Sequence, residues 1–163
     1  MIEGEDKREW REISAQLRAP FPAKDMGYKP GVISKDGTKA LAFPYVDPRA
    51  VVQRLDEVVG HDWTFHFTVL SDNPKLWVVK GTLNILGATR EDVGEGTPGM
   101  GTSGENVSKG AVSDSIKRVA VLFGVGAYIY DLPAQWLAYD MQKKKFTEDY
   151  PYDRILKQVG LKK

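Results

Sequence analysis

The feature that most constrains this chain is a helix with almost no polar face. Between about Glu105 and Phe123, steps of 100° per residue put Val112, Ile116, Val119, Ala120 and Phe123 on one broad side. Ala111 and Leu122 extend burial around the other side, and the polar remainder is a narrow stripe of Lys109, Ser113, Asp114, Lys117 and Arg118. A helix so apolar has to lie on a sheet and show solvent little but that stripe. The segments before it supply the sheet. Thr64 to Leu70 alternates aromatic and β-branched residues, Ser71-Asp72-Asn73-Pro74 reads as a turn, and Leu76 to Leu86 reads as a long strand. Gly87 makes a corner, and Ala88 to Val93 is a shorter strand beyond it.

Further upstream, Asp6 to Leu17 reads as a charged amphipathic helix with Trp10, Ile13 and Leu17 on one face, stopped by Pro20 and Pro22. Met26 to Pro44 reads as a hairpin whose turn, Ser34 to Thr38, contains Asp36-Gly37. Asp47-Pro48 opens another helix, with Val51, Leu55, Val58 and Val59 buried and Gly60 closing it. Strands adjoin strands through short turns, so the class is α+β. The expected architecture is an antiparallel or mixed sheet packed by the long helix, with an extra hairpin and an N-terminal helix. Gly94 to Asn106 holds five glycines and Pro98 and should be a mobile loop. After the long helix, Gly124, Gly126 and Pro133 break the chain into turns around Tyr128 to Leu132. Residues 1–142 are expected to form one core domain. Residues 143–163 form a basic C-terminal segment that reads as the start of a longer tail.

Composition closes off most chemistry. Cysteine is absent, which removes disulfides, thiol nucleophiles, thiolate zinc sites and iron–sulfur clusters together. The two histidines, His61 and His66, are five apart, so on extended chain they take opposite faces and share no metal. Met1 to Arg11 is charged and does not read as a signal peptide, and no window of about 18 apolar residues offers a membrane span. The glycine-rich stretch lacks the Lys-Ser/Thr of a phosphate loop, and its Gly94-x-Gly96-x-x-Gly99 is not set in a βαβ repeat. Glu91, Asp92 and Glu95 read as a solvated strand end, and Ser113-Asp114 has no histidine within local reach. Neither a catalyst nor a cofactor or metal site is expected. On periodicity alone, Asp114 and Arg118 form an i, i+4 ion pair, Lys117 solubilises the helix, and Lys35 and Lys39 guard a hairpin edge.

Certain phrases point further. Lys29-Pro-Gly-Val-Ile-Ser-Lys-Asp-Gly, Tyr45-Val-Asp-Pro-Arg-Ala-Val and Arg90-Glu-Asp-Val-Gly-Glu are followed by Ala111-Val-Ser-Asp-Ser-Ile-Lys-Arg and Tyr128-Ile-Tyr-Asp-Leu-Pro. In this order they resemble the DNA damage response protein A (DdrA-type) branch of the Rad52 single-strand annealing superfamily, over about Ser14 to Trp136. The resemblance implies a β-β-β-α annealing core whose copies assemble into a closed ring. Single-stranded DNA, including exposed ends, would lie in a basic groove, protected and annealed to its complement without ATP. By the resemblance the hairpin base falls on Lys35 and the helix bases on Lys109, Lys117 and Arg118, with Lys39 beside the hairpin turn. Val121 replaces a third helix arginine of the family. Repetition around a ring would explain how a chain of net charge +1 holds DNA. The implied setting is the bacterial cytoplasm at the nucleoid, with no membrane and with other repair proteins as possible partners. The alternatives are a partner-recruiting scaffold of the same fold with weak DNA contact, and a metal-dependent end-processing enzyme using Glu91, Asp92 and Glu95.

Overall fold

The computed structural model describes residues 5–98 and 107–163. They fall into two compact units, Met1–Ala19 with Pro48–Ala127, and Pro20–Asp47 with Tyr128–Lys163. The α+β class holds, with antiparallel pairing throughout and two sheets rather than one.

The first unit starts with α1 (Glu5–Arg18), whose Leu17 is buried while Trp10 and Ile13 are half-buried. Helix α2 (Pro48–Val59) buries Ala50, Val51, Leu55 and Val59 and leaves Val58 half-buried. From α2, Arg54 Nη1 donates to the carbonyls of Gln16 (3.2 Å), Leu17 (3.4 Å) and Ala19 (2.6 Å), tying the end of α1 to α2. The sheet of this unit has the order β3 (Trp63–Asn73), β4 (Leu76–Ile85), β5 (Ala88–Gly96). The turn expected at Ser71–Pro74 is shorter. A register shift between Val69 and Ser71 lets Ser71, Asp72 and Asn73 stay paired, and only Pro74 and Lys75 turn. The β4–β5 corner uses Leu86 (φ 49°) and Gly87 (φ 85°), the left-handed pair that a tight hairpin of right-twisted strands requires.

Helix α3 (Val107–Leu122) lies over β4 and β5. It buries Val107, Ala111, Ser115, Ile116, Val119 and Ala120, whereas Val112 is half-buried and Leu122 exposed, contrary to expectation. The inward face is rotated toward small residues because the helix packs on glycines. A Cβ at Gly94 would run into Ser115 N and Ala111 O, and one at Gly96 into Val107 O. Gly94 and Gly96 are therefore strand residues under a helix, not the start of a loop. The loop expected through Asn106 lies, for 99–106, outside the described residues. The strand's extension to Gly96 also places Glu91 and Asp92 in the middle of β5 and leaves Glu95 next to its last residue.

The second unit holds a sheet of order β1 (Met26–Ile33), β2 (Lys39–Val46), β6 (Gln135–Asp140), β7 (Lys145–Phe146), with α4 (Tyr152–Gln158). The hairpin is thus joined by two strands from a stretch expected to be turns and tail. Its core includes a hydroxyl pair, Tyr128 and Tyr152, with oxygens 2.6 Å apart. Phe21 N donates to the Tyr128 hydroxyl (3.0 Å), and the Tyr152 hydroxyl donates to Phe21 O (2.8 Å).

Candidate nucleic-acid interface

The hairpin turn is held by its own side chains. Asp36 Oδ1 accepts from Ser34 Oγ (2.6 Å), Thr38 N (3.1 Å) and Thr38 Oγ1 (2.9 Å). Ser34 Oγ in turn accepts from Lys39 N (3.0 Å). The Ser34 hydroxyl and then the Thr38 donors lower the Asp36 pKa to about 2. Lys35 sits at the tip and Lys39 opens β2, both exposed, with no ion pair to a described residue. The structure brings these two cations together at one end of the hairpin.

The same strands carry a feature that local pattern does not disclose. Register pairs Tyr45 with Gly27, Phe43 with Lys29, Leu41 with Trp136 and Lys39 with Ala138, so all of these share one face of the sheet. On it Phe43, Tyr45 and Trp136 are exposed by 39%, 38% and 50%, too much for core residues. Their rings are given room by glycine. A Cβ on Gly27 would strike the Tyr45 ring, and one on Gly31 the Phe43 ring. Lys29 and Lys39 stand exposed among the rings. The alternation Lys-x-Leu-x-Phe-x-Tyr in β2 is the available signal, but its outward side cannot be told from its inward side until the partner strand is known.

In the other unit, α3 presents Lys109 and Arg118 exposed and Lys117 half-buried. The expected Asp114–Arg118 pair does not form. Asp114 Oδ2 instead accepts from the backbone N of Glu95 (3.1 Å), and Arg118 Nε lies 3.6 Å from Asp92 Oδ1. The helix is close enough to β5 for strand partners to outcompete helical ones. Val121 is half-buried. Glu91 turns to the opposite face of β5. It meets Lys80 Nζ at 3.0 Å and accepts from Thr82 Oγ1 at 2.9 Å, and the Lys80 and Thr82 contacts lower its pKa. The three acids of β5 are thus split between two faces. Among the described residues, no three His, Cys, Asp or Glu side chains gather as a metal site, and no helix is long and apolar enough to cross a membrane.

The sequence signature of the Rad52/22 family of double-strand break repair proteins matches residues 9–147, which takes in both units. The chain belongs to the Rad52/22 family. Among Rad52/22-type relatives, it is 44% identical over 135 residues to the single-stranded DNA-binding protein DdrA of Deinococcus deserti, covering 82% of this chain and 64% of that one. It is likewise 44% identical over 129 residues to the protein of the same name from Deinococcus radiodurans, covering 79% of this chain and 60% of the relative. The chain therefore spans less than two thirds of the length of either relative.

Proposed function

We propose that this chain is a single-stranded DNA-binding protein of double-strand break repair that works by binding and annealing, not by catalysis. The observation that carries the reading is the exposed face of the hairpin sheet, where Lys29 and Lys39 alternate with Phe43, Tyr45 and Trp136. Aromatic rings stack on the faces of unpaired bases of any sequence, while cations neutralise the phosphates between them. Stacking uses base faces and leaves the pairing edges open, which is what annealing to a complement requires. A duplex, whose base faces are already stacked, gains nothing from such rings. The names of the Deinococcus relatives agree with this ligand.

Lys35 at the hairpin tip and the α3 cations Lys109, Lys117 and Arg118 also hold phosphates in this proposal. Copies of the chain assemble into a closed ring, so that each short run of cations is repeated along the bound strand. The free energy of base pairing then drives annealing, and no nucleotide is consumed.

The test is a salt titration of binding to a fluorescent oligo-dT and to a duplex of equal length. Lys35→Ala, Lys39→Ala and Lys117→Ala are each expected to flatten the salt dependence, by about 0.7 in slope for every phosphate no longer neutralised. Trp136→Ala should weaken affinity by about 1–3 kcal/mol for each base it stacks while leaving the slope unchanged. Equal affinity for duplex and single strand would overturn the reading. So would loss of binding on changing Lys143 and Lys144 alone, with the hairpin and helix variants unaffected.

A further inference from the structure

The aromatic face of the hairpin sheet continues beyond the hairpin. Register pairs Lys39 with Ala138, and Asp140, two residues further along β6, pairs with Lys145. Lys145 therefore lies on the same face as Lys29, Lys39, Phe43, Tyr45 and Trp136. Its neighbour Phe146 obeys the alternation, turning to the opposite face to meet the buried Tyr139 edge-on, with ring centroids 5.3 Å apart. A residue that composition alone assigns to a basic tail is thus part of the sheet.

Two turns meet at this end of the sheet. Tyr139 N donates to Thr38 O (2.9 Å), and a Cβ on Gly37 would come within 3.3 Å of Met141 Cγ, so the turns at 34–38 and 141–144 lie side by side. The acids near them are engaged. Asp36 is held by Ser34 and Thr38, and Glu148 Oε2 accepts from Ala138 N (3.0 Å). Asp140 Oδ1 accepts from the backbone N of Gln142 and of Lys143 (2.9 Å each), and its Oδ2 lies 3.7 Å from Lys143 Nζ. Lys35, Lys39, Lys144 and Lys145 are exposed, and their ammonium groups make no hydrogen bond or ion pair with a described residue. Lys144 also takes a φ of 51°, a left-handed conformation that glycine or asparagine adopts more readily. Closing the turn is no reason for a lysine there.

We propose that Lys144 and Lys145 are phosphate-binding residues that, with Lys35 and Lys39, hold single-stranded DNA where it leaves the rings. The proposal rests on the single-strand reading of this face. Along β2 the rings occupy the levels of Tyr45, Phe43 and Leu41, the last through its partner Trp136, and the lysine cluster begins at Lys39. The six steps from Tyr45 to Lys39 cover about 20 Å. Past the rings no base face is taken up, and what the strand presents to the protein is its phosphates. A lysine ammonium, a compact charge with three donors on a flexible stem, meets a phosphate without reading the base. One stretch of the strand is then held by stacking and the next by charge, and the footprint is longer than the hairpin alone provides.

The experiment is a salt titration of the full chain with fluorescent oligo-dT of about 20 nucleotides, longer than a common single-strand site. Lys144→Asn and Lys145→Gln are each expected to flatten the salt dependence by about 0.7 in slope. Lys157→Gln, on α4 behind the opposite face, should leave it unchanged. Lys144→Asn should melt no lower than the unaltered chain, because asparagine suits the left-handed position, so its lost binding cannot be laid to an opened turn. The chain has no cysteine, so Lys145→Cys introduces a single thiol. It should couple to oligo-dT bearing a thiol-reactive group on its backbone, and Lys157→Cys should not. Failure of the unaltered chain to bind oligo-dT would overturn the DNA reading and this proposal with it. Three results would overturn the proposal alone, with Lys39→Ala still flattening the slope: unchanged slopes for Lys144→Asn and Lys145→Gln, an equal effect of Lys157→Gln, or equal coupling at the two cysteines.

Discussion

Arg118 reaches across from α3 to Asp92 on β5, with Nε 3.6 Å from Oδ1. The pair is open to solvent, so its worth to the fold is on the order of 0.2–1 kcal/mol. Its larger effect is on charge, because a carboxylate stands beside one of the stripe's cations. Asp92→Asn should therefore leave the melting temperature nearly unchanged while strengthening single-strand binding at low salt. Arg118→Ala should weaken binding less in the unaltered chain than in the Asp92→Asn background. Anisotropy titrations of the three variants check the order, and weaker binding by Asp92→Asn would count against α3 as a holder of phosphates.

Gly94→Ala is expected to be among the most damaging changes available. The added carbon meets backbone atoms of Ser115 and Ala111, which cannot swing aside as a side chain can. Overpacking typically costs about 1–3 kcal/mol, and this site belongs at the upper end. Thermal unfolding of Gly94→Ala beside Gly60→Ala measures it. A Cβ at Gly60 meets nothing within 4 Å, and only its left-handed φ of 60° is at stake there.

Acid should loosen the hairpin before it unfolds the chain. Asp36 is held at about 2, below its ordinary value of 3.8. A depressed carboxylate stabilises the fold above its unfolded pKa, and that contribution fades as the pH falls through the folded one. The turn should therefore weaken between about pH 4 and 2, with Asp36→Asn lacking this component. Carboxyl chemical shifts followed across that range give the midpoint directly. A midpoint near 4 would mean that the Ser34 and Thr38 hydrogen bonds are absent in solution.

The tyrosine cluster sets the alkaline limit. Burial raises the Tyr28 pKa to about 12, and burial with the Tyr128 hydrogen bond raises that of Tyr152 further. The unfolded chain ionises its phenols near pH 10, so the stability these groups contribute is complete below that pH and is lost as the pH rises beyond it. Tyr152→Phe removes the hydroxyl joining Tyr128 to Phe21 O and leaves buried partners unsatisfied, at a cost of about 1–3 kcal/mol. Denaturant unfolding at neutral pH gives that figure, and absorbance at high pH gives the phenol titration.

Local pattern carried much of the architecture. The Asp36-Gly37 turn, the Asp47-Pro48 helix start and the α3 hydrophobic face each depend on residues within one or two turns of one another. What stayed hidden depends on distant partners. The run Gln135–Asp140 follows Pro133 closely and is only six residues long, so nothing local announces a strand. It becomes one because β2 offers it an edge. Gly94 and Gly96 read as loop because a close-packed helix leaves the same composition as a flexible segment. The exposed row of Phe43, Tyr45 and Trp136 was unreadable for the same reason: exposure on a strand is decided by what covers it. The family phrases pointed to Lys35, Lys109, Lys117 and Arg118, but nothing local told that Arg118 would turn to Asp92.

Where Gly94 and Gly96 lie beneath it, α3 meets bare β5 backbone with no side chain between. Its rotational setting is keyed to the β5 peptide units, and so are the positions of Lys109 and Lys117, eight residues or about 12 Å apart along the axis. The pair behaves like two graduations on a ruler cut into the sheet. That spacing is set by the rise of the helix itself, so a binding footprint of different length would require new cations on the helix, not a repacked interior.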